Sequence, residues 1–258
     1  MTAGISIRFI SLNLYSMLIP LTQQTLQAIA SSNFRLVSVL EKHGLDYCCG
    51  GKQTLEDACR QQQLDSQIIV AELEEIDALN TGHPFNHMSA DTLIEYLLMN
   101  HHFYIRQEIP ALRQQLKKLI DHHGAQHLFL PALLEALDEL EEALIPHLET
   151  EENQIFPAIR DLEKQVTSLI PIQDSFEWLF GLLLALEKEH DEAGQQMHRI
   201  RNLSHQYTVP EKSCLSFRFC FEALQTFENK LHEHVHLENN ILFPMAERLL
   251  LSRLEDGL

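Results

Sequence analysis

Two stretches of the chain repeat one pattern: HLETEENQIFP at residues 147–157 and HVHLENNILFP at residues 234–244. In each, a Glu lies four residues after the first His, and a Pro preceded by an apolar pair lies six residues after that Glu. Residues four apart share one face of an α-helix, close enough to bind the same ion. The repeat therefore predicts two helices that each present an imidazole beside a carboxylate. The two pairs are His147 with Glu151 and His234 with Glu238.

Each pair has two interpretations. A solvated helix face rich in His and Glu would produce the same spacing, with ordinary contacts between neighbouring turns. The apolar residues around both pairs, such as Phe156 and Leu242, instead indicate positions that pack against other helices. A carboxylate beside such positions is costly unless it is paired or bound to a metal. We therefore expect metal binding at both motifs.

The composition narrows the classes of function. Hydrophobic residues make up 45% and charged residues 22% of the 258 residues, as in folded globular proteins. The formal net charge of −18 predicts repulsion from phosphate backbones and anionic lipid, so we expect neither nucleic acid nor a membrane as partner. The chain also lacks the run of eighteen apolar residues that a membrane-spanning helix requires. Fifteen His in an acidic chain favour metal binding.

The pattern of apolar residues predicts an all-α chain in three parts. Residues 1–21 lack the basic start and the cleavage site of a signal peptide, so we expect a disordered extension or a start site misassigned upstream of Met17, and a cytoplasmic location. Residues 22–80 predict a small domain of short helices. A linker containing Gly, Pro, Asn and Ser follows at 80–91. Residues 88–258 predict a larger helical domain.

This larger domain contains four long helical patterns. They lie at 91–122, 131–164, 174–205 and 210–250. Joined by short loops, such helices form an up-down bundle. The first helix offers His101 or His102, which spacing alone does not separate, and the third offers His190. Four imidazoles with two bridging carboxylates suit two iron ions, whereas zinc favours a single tetrahedral site.

Three motifs connect these features to a known family. They are GLDYCCGGKQTL at 44–55, EHDEAG at 189–194 and HLENNILFP at 236–244. On the second and third of these motifs, the bundle resembles the hemerythrin-like di-iron domain. Over residues 22–250 the chain resembles the iron–sulfur cluster repair di-iron proteins, the repair of iron centers family, whose small N-terminal domain carries a Cys-Cys-Gly-Gly turn. The chain departs from that family by an apolar insertion before His190, FEWLFGLLLALEK at 176–188, which would lengthen the third helix or add a packed turn.

The resemblance implies a complete set of ligands for two iron ions. It selects His102 rather than His101 on the first helix, and it makes both Glu residues bridges between the irons. The implied ligands are His102, His147, Glu151, His190, His234 and Glu238. Oxygen-carrying hemerythrins use five His, one Glu and one Asp, and this chain departs from that pattern. We therefore expect redox chemistry or iron transfer rather than storage.

The adjacent Cys48 and Cys49 form the second candidate site. Their Cα atoms lie about 3.8 Å apart across a trans peptide, closer than an unstrained disulfide prefers. They are either a reactive or metal-handling dithiol on an exposed turn, or a buried pair of small apolar residues. The resemblance favours the first interpretation, in which the two thiols relay iron or electrons.

The resemblance implies a protein that repairs iron–sulfur proteins damaged by nitric oxide or oxidative stress. It would act by donating iron, by reducing nitric oxide, or both, and only the second would make it an enzyme. The alternative is a sensor or carrier of oxygen or nitric oxide that performs no turnover. A third hypothesis is a helical interaction protein whose metal site is vestigial. The sequence leaves open whether the chain forms a homodimer.

Overall fold

The computed structural model describes residues 19–47, 51–77, 85, 88–164, 172–211 and 213–256. Throughout these ranges the regular structure is helical and no strand forms, which confirms the predicted all-α class. The chain divides into two compact units, Met1–His87 and Met88–Leu258. In the part of the chain that the structure describes, no helix has both the length and the hydropathy needed to cross a bilayer.

The first unit consists of short helices and single turns. The helices are α1 (Leu26–Ser32), α2 (Val37–Lys42), α3 (Leu55–Gln61) and α4 (Ser66–Asp77), with 3₁₀ turns at Leu21–Gln23 and Phe34–Leu36. Thr25 and Thr54 cap α1 and α3, because each hydroxyl accepts a hydrogen bond from the backbone N–H three residues later. The two capping residues also form an isolated antiparallel bridge. The bridge brings the starts of α1 and α3 together.

The described residues on either side of Cys48 and Cys49 are held in place by local contacts. After α2, Gly44 has a positive φ of 66° and Leu45 N–H donates to the carbonyl of Leu40, which together end the helix. Tyr47 is fully buried and donates its hydroxyl to Glu41. A Cβ at Gly51 would lie 2.2 Å from the carbonyl oxygen of Tyr47, so only Gly fits there. Cys48 and Cys49 themselves lie outside the described residues.

The second unit is built from seven α-helical segments and three π turns within its described residues. These are α5 (Ala90–Leu97), a π turn at Leu98–His102, α6 (Phe103–His123), α7 (Leu130–Thr150), a π turn at Glu151–Ile155, α8 (Phe156–Glu163), α9 (Ile172–Leu203), α10 (Leu215–Leu237), a π turn at Glu238–Leu242 and α11 (Phe243–Asp256). Residues at the π junctions keep right-handed helical dihedral angles. The chain therefore runs through each π turn without a break, and the unit contains four long helices.

The four long helices pack in a ring around one core. α7 lies between α6 and α9, and α10 contacts both α6 and α9. Apolar side chains from all four helices fill the centre, among them Leu112, Leu137, Met197 and Phe221. Glu163 at the end of α8 accepts hydrogen bonds from the backbone N–H groups of Ala90 and Asp91, and so caps α5. The packing matches the predicted hemerythrin-like bundle.

The start of the fourth long helix differs from the prediction, and the structure shows where the apolar insertion lies. The fourth helix begins at Leu215 and not near Pro210, because the carbonyl of Pro210 accepts a hydrogen bond from the N–H of Ser213 and closes a separate turn. The apolar insertion at 176–188 belongs to α9, so it lengthens the third helix rather than adding a turn.

Candidate metal centre

A cluster of buried imidazoles and carboxylates lies in the bundle core. Five residues each offer one ligand atom, and those atoms all lie within 4.8 Å of one another. The five are His147, Glu151, His190, His234 and Glu238. They come from α7, α9, α10 and two of the π turns, so three of the four long helices contribute. All five are buried, in a region where an uncompensated charge is costly.

The first helix contributes His102. Its Nε2 atom lies 3.5 Å from Oε2 of Glu151 and 3.7 Å from Oε1 of Glu238. The neighbouring His101 is also buried, but its Nδ1 atom lies 3.3 Å from the carbonyl oxygen of Lys230. The structure therefore brings together all six residues that the sequence and its resemblance singled out, with His102 facing both carboxylates. We propose these six as the ligands.

The two carboxylates lie between two pairs of imidazoles, His147 with His190 and His102 with His234. Glu151 directs Oε1 towards His147, at 3.2 Å from Nε2, and Oε2 towards His102. Glu238 directs Oε1 towards His102, and its Oε2 lies 3.2 Å from Nε2 of both His190 and His234. Each carboxylate thus presents oxygens to both sides of the cluster. This arrangement suits carboxylates that bridge two metal ions.

The π turns place the carboxylates, and sequence reasoning did not anticipate them. In the two repeated motifs, the N–H of Phe156 donates to the carbonyl of Glu151 and the N–H of Phe243 donates to that of Glu238, five residues back. A Pro follows each Phe, lacks an N–H and crowds the carbonyl four residues before it. That carbonyl belongs to the π turn in both motifs. The Pro that ends each motif was therefore the available signal for a widened turn, a feature common at functional sites.

A second set of polar residues orients the imidazoles. Nδ1 of His102 lies 2.9 Å from Oε1 of Glu152. Nδ1 of His147 lies 2.7 Å from Oε2 of Glu189, and Nδ1 of His190 lies 2.8 Å from Oδ1 of Asn239. A hydrogen on Nδ1 leaves the Nε2 lone pair directed into the cluster, as a metal ligand requires. The sequence analysis missed these three acceptors.

Burial and mutual contact set the charges of the cluster. Burial tends to raise the pKa of Glu151, but the positive charge of His147 outweighs it and lowers that pKa to about 2. Burial and then the negative charge of Glu151 raise the pKa of Glu238. Burial also lowers the pKa of His190 to about 4 and moves that of His234 well below its usual range. The carboxyl groups of Glu151 and Glu238, buried beside these imidazoles, form a site that a bound cation would stabilise.

Several buried oxygen and nitrogen atoms of the cluster have no hydrogen-bond partner and are therefore available to bind two iron ions. Both carboxylate oxygens of Glu151 and of Glu238 are buried without a hydrogen-bond partner, as is Nε2 of His102 and of His234. Nε2 of His147 lies 2.9 Å from Nε2 of His190, close to the spacing of about 3 Å for two nitrogens that bind one ion at right angles with bonds of about 2.1 Å. Mixed imidazole and carboxylate donors suit iron. The residues fit a di-iron centre.

The fold and this cluster together define a class of protein, a helical bundle whose core presents imidazoles and carboxylates that could hold metal. A model described as the hemerythrin HHE cation binding domain matches residues 93–246. A second model, ScdA_N, described as a domain of unknown function (DUF542), matches residues 22–77.

Whole-chain relatives specify the family further. The chain is 31% identical over 227 residues to the iron-sulfur cluster repair proteins YtfE of Yersinia pestis and Yersinia pseudotuberculosis, covering 87% of this chain and 97% of each relative. It is 27% identical over 206 residues to the iron-sulfur cluster repair protein ScdA of Staphylococcus haemolyticus, covering 80% of this chain and 89% of the relative. The chain belongs to this family of hemerythrin-domain iron–sulfur cluster repair proteins.

Proposed function

We propose that this protein is a non-haem di-iron protein that repairs iron–sulfur clusters damaged by nitrosative or oxidative stress. The observation that carries the proposal is the buried group of four imidazoles and two carboxylates with unsatisfied ligand atoms. The names of the relatives, which are repair proteins, support the same function. Damaged iron–sulfur proteins would be the partners, with nitric oxide or oxygen as small ligands, and the cytoplasm would be the location.

The chain's own residues hold and orient this centre. The four His residues cap the ends of the cluster, and Glu151 and Glu238 separate the two imidazole pairs. The buried rings of Phe156 and Phe243 lie 5.3 Å and 6.0 Å from those of His102 and His190, and an apolar surrounding limits the access of water. When bound, the two irons would supply both transferable iron and open positions for a diatomic ligand.

The alternative is a di-iron sensor or carrier of oxygen or nitric oxide without turnover. Iron-loaded protein should be incubated without oxygen with an enzyme whose iron–sulfur cluster nitric oxide has damaged. Repair predicts that the enzyme recovers its activity, with loss of iron from this protein or with consumption of nitric oxide when a reductant is present. Binding of nitric oxide in a fixed ratio, without recovery of the enzyme, would support the sensor and contradict repair.

Changing both Cys48 and Cys49 to Ser provides a separate prediction for the first unit. We propose that residues 22–80 form a domain whose dithiol relays iron or electrons, and Ser removes the thiolate chemistry while keeping the size of the side chains. The iron content and visible spectrum should stay unchanged, and the rate of cluster repair should fall. Cys59→Ser is the control, because Cys59 is a buried thiol whose pKa burial raises. Loss of iron in the double variant would contradict a relay role.

A further inference from the structure

The four imidazoles of the cluster differ in what their Nδ1 atoms contact. Nδ1 of His102 and of His147 lie beside carboxylates, and that of His190 lies beside the neutral amide of Asn239. Nδ1 of His234 is buried, and no hydrogen-bond partner lies near it among the described residues. A carboxylate acceptor makes an imidazole a stronger ligand than an amide does, and an imidazole without an acceptor is the least firmly oriented. The four ligands are therefore held unequally.

The unequal rings fall into two pairs. His147 and His190 bring their Nε2 atoms within 2.9 Å, and both have an Nδ1 acceptor. The ring centroids of His102 and His234 lie 5.2 Å apart on the other side of the carboxylates, and only His102 has an acceptor. The position between His102 and His234 therefore depends on one oriented imidazole, and that imidazole depends on Glu152.

Glu152 is itself fixed by a cation. Nη2 of Arg106, one turn after His102 on the first helix, lies 3.1 Å from the same Oε1 atom that contacts Nδ1 of His102. Glu152 directly follows the bridging Glu151 in the π turn, so one turn of the chain positions a bridge and an imidazole acceptor together. With side-chain exposures of 30% and 32%, Glu152 and Arg106 lie at the edge of the site rather than within it.

We propose that Glu152, held by Arg106, is a positioning residue that controls how firmly the iron between His102 and His234 is retained. The inference rests on the proposed di-iron function and specifies which of the two irons leaves first. In a protein that donates iron, the less firmly held position supplies the iron that is transferred. An iron held by His147 and His190 would be retained longer, because both of those rings have Nδ1 acceptors.

The test compares iron retention in four proteins: wild type, Glu152→Ala, Glu152→Gln and Glu149→Ala. Glu149 is the matched control, because it lies on the same helix, three residues before Glu152, and is exposed. Each protein is loaded with ferrous iron without oxygen, and its iron content is measured. A strong ferrous chelator is then added, and the rate at which iron leaves is followed by absorbance. Circular dichroism during heating establishes that each variant is folded.

We expect iron to leave wild type in two phases. Loss of the acceptor in Glu152→Ala should accelerate the faster phase by about 10- to 100-fold and leave the slower phase unchanged. Glu152→Gln should lie between Glu152→Ala and wild type, because its amide oxygen still accepts a hydrogen bond but carries no charge. Glu149→Ala should match wild type.

Two failures are distinguishable. If wild type binds no stable pair of irons, the proposed function fails before the role of Glu152 is tested. A second outcome is that wild type binds two irons and folded Glu152→Ala releases its iron in both phases at the wild-type rates. The positioning role of Glu152 is then wrong, while the di-iron centre stands. Equal acceleration of both phases would also overturn the inference, because it assigns Glu152 to one position only.

Discussion

Glu238→Ala should lower the iron content from about two ions per chain to about one or fewer. The substitution removes a carboxylate whose two oxygens face imidazoles on both sides of the cluster. With Glu238 absent, Glu151 alone would separate the two irons, and two neighbouring cations would lose half of the negative charge that compensates them. Iron measured per folded chain after loading without oxygen provides the test. Glu151→Ala should have the same effect, because Glu151 also faces both imidazole pairs.

Two comparisons make this result specific. Glu238→Gln keeps the size of the side chain and an oxygen donor but removes the charge, so its iron content should also fall. Glu222→Ala should retain the iron of wild type, since Glu222 lies exposed on α10, the helix that carries His234. Two tightly bound irons in folded Glu238→Ala would show that this carboxylate is no bridge, and the assignment would be wrong.

The spacing of the repeated motif predicted the direction of four side chains. His147 with Glu151 and His234 with Glu238 do lie on shared faces, because four residues span about one turn of a helix. Spacing could not choose between His101 and His102. The choice depends on rotation of the first helix about its axis, and that rotation is fixed by the π turn at Leu98–His102 and by packing against other helices.

The π turns show what a helical pattern does not contain. Each one adds a residue to a single turn, so the residues after it are rotated by about 100° relative to an uninterrupted helix. Apolar periodicity continues on both sides and conceals the shift. Only the Pro residues at 157 and 244 indicated a local change in the motifs, and the turn at Leu98–His102 has no Pro within it or directly after it.

The orienting residues were hidden for a related reason. Glu152, Glu189 and Asn239 are each adjacent in sequence to a residue of the cluster, and adjacent residues of a helix point about 100° apart. Such a neighbour is normally assigned to the solvated face of an acidic helix. The side chain turns towards a His on a different long helix only after the bundle has formed, as in the contact between Glu152 and His102. That contact depends on tertiary structure.

Away from the metal cluster, Arg201→Ala should destabilise the second unit by about 3–5 kcal/mol, because it leaves a buried carboxylate without its cation. Nε of Arg201 on α9 lies 3.1 Å and 3.0 Å from the two carboxylate oxygens of Glu228 on α10, and Glu228 is only 1% exposed. Burial and the charge of Glu228 raise the pKa of Tyr207, so its hydroxyl stays neutral. Urea unfolding at equal iron content, followed by circular dichroism, measures the change in free energy.

The matched control lies two residues earlier on the same helix. Arg199 pairs with Glu139, but both side chains are 40% exposed, so Arg199→Ala should cost at most about 1 kcal/mol. The double variant Arg201→Met with Glu228→Met should recover most of the stability lost in Arg201→Ala, because an apolar pair of similar size removes the uncompensated charge. An Arg201→Ala variant as stable as Arg199→Ala would contradict this role.

The ion pair of Arg201 and Glu228 adjoins an unusual turn. His205, Gln206 and Tyr207 all have a positive φ, which costs about 1–2 kcal/mol per residue. The buried ion pair between α9 and α10 is therefore positioned to hold together the two helices that this strained turn connects, and its loss should destabilise the bundle at the connection itself.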